Sequence, residues 1–376
     1  MNKTKAAIIA CVPALLLAVT ACSGDNGGNR EVIREPGKTI TIIDNDSKTP
    51  EAGPAITVGS IKRYEKVEIF GWLDEDTIIV SQENETLAKM KLEELADFYP
   101  RSLYRMNLQT GERVPLKEQE NVFLGGASLS PDGQHLIYQE YTLGDPVYHV
   151  MNLETLKSFS LTGEPIGGAM SARWTDDGSI IGTSYGGGAY TATTKGDIAV
   201  LEELGEGALF VVAKLGSRVY YNSNSDETLR VLQLDTKETN DMGLGSVGSI
   251  IPSPDGKQLL VTQYESSKVK LTLCDLDGGN AKTIAEGAEL GGISWSGDQR
   301  LIAYSMQAEV SGATVKGLYV HDLLSDQAVR IAADVDNAVD SSWSPSGDKL
   351  TYSVWNGSSY DSSVVEIHSS LEPGGQ

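Results

Sequence analysis

One pattern recurs along this chain and limits what it can fold into: a tight turn that feeds a short apolar strand. The copies are WLDEDTIIVSQ from Trp72, LSPDGQHLIYQ from Leu129, WTDDGSIIGTS from Trp174, a degenerate AKLGSRVYYNS from Ala213, PSPDGKQLLVT from Pro252, WSGDQRLIAYS from Trp295 and WSPSGDKLTYS from Trp343. In Ser253-Pro254-Asp255-Gly256 the chemistry of the turn is explicit. Serine opens it, proline is pre-set for the second position, and Asp and Gly complete it before a Leu- and Val-rich run begins. Successive copies start about 40 to 57 residues apart, the period of a four-stranded repeat with insertions.

Each copy is followed by a second apolar run that ends in a turn: LYRMNLQTGE from Leu103, VYHVMNLETLK from Val147, TLRVLQLDTKE from Thr228, LTLCDLDGGN from Leu271 and LYVHDLLSDQ from Leu318. A short fourth run, such as Arg113–Leu116 or Ala328–Ile331, precedes the next copy. Four short alternating strands per repeat predict an all-β fold, a single β-propeller of about seven four-stranded blades. A length of 376 residues is compatible with one such domain, and the 40 glycines are spread as turn punctuation rather than in a collagen period.

The last repeat, from Trp343, reaches a third strand near Val364–His368 and then runs into LEPGGQ without a fourth. Ala55–Gly59, AITVG, precedes the first strand KVEIFGW and has no blade of its own to join. It is expected to complete the last blade and so close the ring by an N-terminal strand, leaving no free sheet edge. Thr39–Ile43, TITII, competes for that role. Gly125-Gly126, Gly167-Gly168 and Gly291-Gly292 precede inner strands, where small residues permit close backbone approach. Residues 83–100, ENETLAKMKLEELADFYP, place Leu87, Met90, Leu95 and Phe98 among charges and predict a short amphipathic helical insertion stopped by Pro100.

The N-terminus has Lys3 and Lys5 ahead of an apolar run, Ala6–Val19, too short to span a membrane. It reads as an export signal. Its end, Val19-Thr20-Ala21-Cys22, resembles the bacterial lipobox. That resemblance implies cleavage before Cys22, a diacylglyceryl group on its thiol and a membrane-anchored lipoprotein on the extracytoplasmic side of the cell envelope. Two acyl chains hold a protein on a membrane stably where one does not. The expected organisation is a signal peptide over residues 1–21, the anchor and a flexible tether over 22–50, and the propeller over 51–376. Cys11 leaves with the signal and Cys22 carries lipid. Cys274 then stands alone in LTLCDL, as a core residue rather than a disulfide partner or nucleophile.

The formal charge of −22 becomes −24 when Lys3 and Lys5 are removed, and such a field repels phosphate backbones. Nucleic acid is excluded as a natural partner. Catalytic motifs fare no better. Gly182-Thr183-Ser184-Tyr185-Gly186 matches the nucleophile elbow G-x-S-x-G, but it runs into Gly187-Gly188-Ala189-Tyr190 rather than a helix. His135, His149, His321 and His368 are assigned to separate blades and none has a ligand at metal-site spacing. Asp275-Leu276-Asp277-Gly278 starts like a calcium loop, yet Gly279 and Asn280 stand where a ligand and the loop glycine belong.

The turn-plus-strand unit, most closely at Ser130-Pro131-Asp132-Gly133 and Ser253-Pro254-Asp255-Gly256, resembles the TolB-type, WD-like propeller repeat of exported bacterial proteins over residues 55–370. The resemblance implies a fold more than a function. TolB carries a further α/β domain and the oligopeptidase relatives a hydrolase domain, so neither activity is implied here. The expected function is a non-catalytic module that binds an envelope protein or glycan through loops at one mouth of the channel. No catalytic residue, metal or cofactor is assigned, apart from the lipid on Cys22. The alternative is a propeller enzyme, a lyase, lactonase or glycan hydrolase, with carboxylates or a divalent ion at that mouth.

Overall fold

The computed structural model describes residues 30–35, 38–43, 56–310, 312–335 and 338–369. The chain divides into two compact bodies, Met1–Gly53 and Pro54–Gln376. The expected signal peptide and the anchor Cys22 lie outside the described residues. Within the first body, Arg30–Glu35 pairs antiparallel with Lys38–Ile43. The stretch read as a flexible tether therefore contains a hairpin, and Thr39–Ile43 is paired there rather than with the last repeat.

Among the described residues the second body has five four-stranded antiparallel sheets, an eight-stranded sheet in which two four-stranded sets are joined by a parallel bridge between Arg101 and Phe123, and a two-stranded pair, Thr162–Gly163 with Gly167–Gly168. The seven four-stranded sets are numbered here as repeats one to seven. Repeat one comprises Val67–Trp72, Thr77–Glu83, Arg101–Asn107 and Arg113–Lys117. Repeat two comprises Phe123–Leu129, His135–Tyr141, Val147–Asn152 and Ser158–Ser160. Repeat three comprises Arg173–Trp174, Ile180–Thr183, Ala189–Ala192 and Ile198–Val200. Repeats four, five and six start at Leu209–Leu215, Val247–Pro252 and Glu289–Trp295. Repeat seven runs Asp340–Trp343, Lys349–Trp355 and Tyr360–Ser369, and its fourth strand is Ile56–Tyr64. Thr57 lies opposite His368 and Tyr64 opposite Ser362, so the strand expected from AITVG occupies the expected place.

The turns use their polar side chains locally. The buried Ser130, Ser253 and Ser296 hydroxyls donate to Asp132, Asp255 and Asp298 two residues on. Each also accepts the backbone N–H five residues on, from His135, Gln258 and Leu301, at 2.9–3.0 Å. These bonds satisfy groups that the entry to a buried strand would otherwise leave unpaired.

Alternation then buries one stripe of each sheet against its neighbour. Seven apolar clusters result, each dominated by residues from two neighbouring repeats. One joins Val364 of repeat seven to Val67, Ile69 and Tyr104 of repeat one. Each fully buried Leu, Ile or Val contributes about 1.5–3 kcal/mol relative to exposure. Tryptophans add a directional contact across these seams. Trp174 Nε1 donates to Ser128 O at 2.8 Å, Trp295 Nε1 to Ile251 O at 3.4 Å and Trp72 Nε1 to Ser342 O at 3.0 Å. In each case the acceptor sits one residue before the matching position of an adjacent repeat. Repeats one and seven are thus joined by the same contact as two and three.

The first strands carry bulges, with register shifts at Ile69/Gly71, Gly125/Ser128, Val247/Ser249 and Gly291/Ser294. Gly126 and Gly292 adopt φ of +54° and +53°, and a Cβ on Gly292 would lie 2.8 Å from Ala338 Cβ. The glycine pairs therefore meet a backbone requirement as well as a spatial one.

Residues 83–100 depart from expectation. They hold a single 3-10 turn, Glu93–Leu95, in place of an amphipathic α-helix. The ladder pairs Glu83 with Arg101, and Asn84 N donates to Pro100 O at 2.8 Å, so the ends of the insertion must meet. A helix rising about 1.5 Å per residue would drive them apart. Met90 N instead donates to Phe98 O, folding the loop back with Met90 and Leu95 buried.

The indole contacts yield a comparison. Trp343 Nε1 is buried with no partner among the described residues, whereas Trp174 Nε1 is bonded. Replacing Trp174 by Phe is expected to cost about 1 kcal/mol more than replacing Trp343 by Phe, read by urea unfolding. Equal losses would show that the indole bond contributes nothing.

Candidate functional site

The sequence motifs set aside above remain structural when placed in the fold. Strand Ile180–Thr183 passes through a turn into strand Ala189–Ala192, and the buried Ser184 hydroxyl donates to Gly187 O at 2.7 Å. No strand-to-helix elbow is formed there. The Asp275–Asn280 carboxylates serve their own turn: Asp277 accepts Gly279 N at 2.9 Å and Asp275 accepts Asn280 Nδ2 at 2.6 Å. Cys274 is buried, and burial followed by Asp275 and Asp277 pushes its thiol up to about 11. The histidines are not all in separate repeats. His135 and His149 sit on adjacent strands of repeat two, where His149 stacks on Tyr138 at 5.0 Å. The repeat pattern already implied this, since His135 lies in the copy from Leu129 and His149 in the apolar run that follows it within the same repeat.

The residues that do converge come from first strands. A cavity of about 500 Å³ is bordered by first-strand residues of repeats one, two, six and seven, including Gly71, Ser128, Ser294 and Asp340. A second, of about 270 Å³, is bordered by Arg173 of repeat three and by first-strand residues of five, six and seven. Asp340 and Ser341 line both. Inner strands of six repeats therefore surround one central region.

A third cavity, of about 400 Å³, opens between repeats seven, one and two and has aromatic walls: Phe98, Phe123, Tyr141, Trp355 and Tyr360. The folded-back insertion supplies Phe98, which meets Phe123 edge-on at 6.5 Å. Phe123 packs on Tyr141 at 5.7 Å, and Trp355 on Tyr360 at 4.9 Å. Trp355 remains half-exposed, which leaves an aromatic surface facing solvent.

Arg101 lines this cleft and is itself buried. Its guanidinium lies over the Tyr360 ring at 5.7 Å and donates from Nε to Ser81 Oγ at 3.0 Å and from Nη2 to Ser81 O at 2.8 Å. Beneath it, Glu68 Oε2 stands 3.5 Å from Arg101 Nη2. Glu68 is 5% exposed and Oε2 accepts no hydrogen bond among the described residues. Burial pushes its carboxyl up to about 7, opposed by Arg101 and reinforced by Asp340. Asp340 is pushed upward too, by the protein enclosing the central region. Tyr141 is pushed up to about 12 by burial. A chain of electrostatically linked groups thus runs from the aromatic cleft, through Arg101 and Glu68, to the central carboxylate. None of Glu68, Arg101 and Asp340 was singled out by sequence, since their partners are set by strand register and not by spacing.

The Glu68 shift fixes a pH dependence. The folded state keeps a proton that the unfolded chain releases near 4.5, so this contribution to stability is full below about 4.5 and is lost as pH rises through about 7. Glu68→Gln cannot ionise. Its stability relative to the wild type is expected to rise by about 2–3 kcal/mol from pH 4.5 to above 7 in paired denaturation curves. Parallel curves across that window would show an ordinary carboxyl.

No family model matches the sequence, and no curated protein matches it. Solved structures do. An oligogalacturonate lyase in complex with manganese aligns with TM-score 0.57 at 14% identity, over 81% of this chain and 97% of that one. The oligogalacturonate lyase of Vibrio parahaemolyticus aligns with TM-score 0.57 at 14% identity, over 82% and 98%. The Cps50 (Swd1) β-propeller domain of Myceliophteria thermophila aligns with TM-score 0.56 at 12% identity, over 83% and 99%. At such identities the likeness concerns fold, and together with the four-stranded repeats it makes this an all-β chain of the β-propeller class.

Proposed function

We propose that the seven repeats are the blades of one closed propeller completed by Ile56–Tyr64. We further propose that the protein is an exported bacterial lipoprotein, held on a membrane by a diacylglyceryl group on Cys22, whose propeller is a non-catalytic binding module at the cell envelope. The recognition surface in this reading is the aromatic cleft between repeats seven, one and two. The observation that carries it is the pairing of an accessible aromatic wall, Trp355 above all, with a buried and already oriented Arg101. Such a combination of apolar area and a few fixed polar groups suits ligand or partner recognition.

The enzyme reading has its own support. Two of the similar folds are oligogalacturonate lyases, and the buried Glu68 and the exposed Asp340 both have raised pKa values, that of Glu68 in part through Asp340. In that reading they would divide acid and base roles. Against it, Glu68 is buried beneath Arg101 and does not present its carboxyl to the cleft.

Three experiments test these readings, the first the anchor and the other two the choice between binding and catalysis. Cys22→Ser is expected to move the protein from the membrane to the soluble fraction of cells; unchanged sedimentation contradicts the anchor. A photo-crosslinking residue in place of Trp355 is expected to capture an envelope partner, while one at the exposed Leu324 of repeat six does not. Turnover of oligogalacturonate that is abolished by Glu68→Gln would replace the binding reading with the enzymatic one.

A further inference from the structure

Arg173 is an exposed arginine that borders the cavity of about 270 Å³. The chain carries 52 acidic residues against 30 basic ones, and two guanidiniums with little exposure, Arg101 and Arg300, stand beside carboxylates. Arg101 stands beside Glu68, and Arg300 donates to both Asp322 carboxylate oxygens, from Nε at 3.1 Å and from Nη2 at 2.7 Å. Arg173 has no carboxylate partner among the described residues. Its one hydrogen bond is a long donation from Nη1 to Ile250 O, at 3.4 Å. The surrounding protein lowers its pKa, but the side chain is exposed and borders the cavity of about 270 Å³. A guanidinium has five N–H donors, so most of those of Arg173 are open to a ligand in the cavity.

The surrounding groups restrict what could meet it. Ser249 and Thr262 share a hydroxyl–hydroxyl bond at 2.8 Å on the same wall, with Tyr264 nearby. Asp340 borders the cavity as well. With Asp340 ionised the site is neutral overall, inside a strongly acidic protein. A dianion would carry more charge than one guanidinium offsets, whereas a planar monoanion matches the guanidinium fork in both charge and shape. Asp340 and the hydroxyl pair are suited to hydroxyl groups on the same ligand.

We propose that this cavity binds a small hydroxycarboxylate, its carboxylate on Arg173 and its hydroxyls toward Asp340 and the Ser249–Thr262 pair. The proposal rests on the binding-module reading and names a ligand class for the interior of that propeller. It requires no bond to be made or broken.

The matched probes are D-gluconate and D-glucitol, open-chain polyols that differ only in the carboxylate at C1, with inorganic phosphate as the third arm, titrated by calorimetry into the full-length protein in detergent. Gluconate is expected to bind and glucitol not to bind. Arg173→Gln is expected to weaken gluconate at least tenfold, Arg173→Lys to retain part of the affinity, and Asp340→Asn to weaken it several-fold. A cooperative melt of each variant, with retained capture through the Trp355 crosslinker, reports an intact fold. Equal binding of gluconate and glucitol, undiminished binding by Arg173→Gln, or binding of phosphate alone would each overturn the proposal. Crosslinking at Trp355 without any gluconate response would remove the interior site and leave the mouth reading standing; loss of both would remove the binding module itself.

Discussion

Everything in the second body depends on neighbouring four-stranded sheets covering each other's faces. A small twisted sheet has two faces, and neither can be left to water if both carry Leu, Ile and Val. Here each seam has its own apolar cluster, including the seam where Val364 meets Val67, Ile69 and Tyr104. The pairing of Ile56–Tyr64 with Tyr360–Ser369 gives the last repeat its fourth strand from the other end of the sequence. It occupies a sheet edge that would otherwise be open to another chain, and it ties sequence-distant residues into one cooperative structure. Further ties reinforce this seam: Ser353 Oγ and Ser362 Oγ both receive Ile69 N, and Trp72 reaches Ser342 O.

Much of this architecture was legible because its signals are local. Ser253, Pro254, Asp255 and Gly256 define their turn through bonds spanning at most five residues, and the strand that follows shows its alternation directly. The fourth strand of the last repeat was legible by counting, since a set of three at one end and an extra strand at the other suggest each other. The insertion was misread for the opposite reason. Leu87, Met90, Leu95 and Phe98 have a helical spacing, but the register of Glu83 with Arg101 constrains the loop ends, and tertiary closure prevailed over local periodicity.

The site was almost silent in the sequence. Glu68 and Asp340 are separated by most of the chain, yet Asp340 raises the cost of ionising Glu68. Arg101 carries no signal in the sequence and is a buried group anchored on Ser81. Arg173 lacks the acid that stands beside Arg300 and is the more exposed of the two, properties no spacing rule reports. In an acidic chain carboxylates are too common to be informative; the rarer observations are ionisable groups whose protonation the surrounding protein shifts. Three of these groups, the buried Glu68 beside Arg101 and the exposed Asp340 and Arg173, lie on first strands.

The central claim is that Ile56–Tyr64 is an integral strand of the last repeat, so that the propeller is one cooperative ring. Native-state hydrogen exchange, resolved to the amides of Ile56–Tyr64 and Tyr360–Ser369, addresses it directly. The account predicts that the hydrogen-bonded amides of both segments are protected and open together, with the same denaturant dependence. Rapid exchange throughout Ile56–Tyr64 while Tyr360–Ser369 stays protected would contradict it.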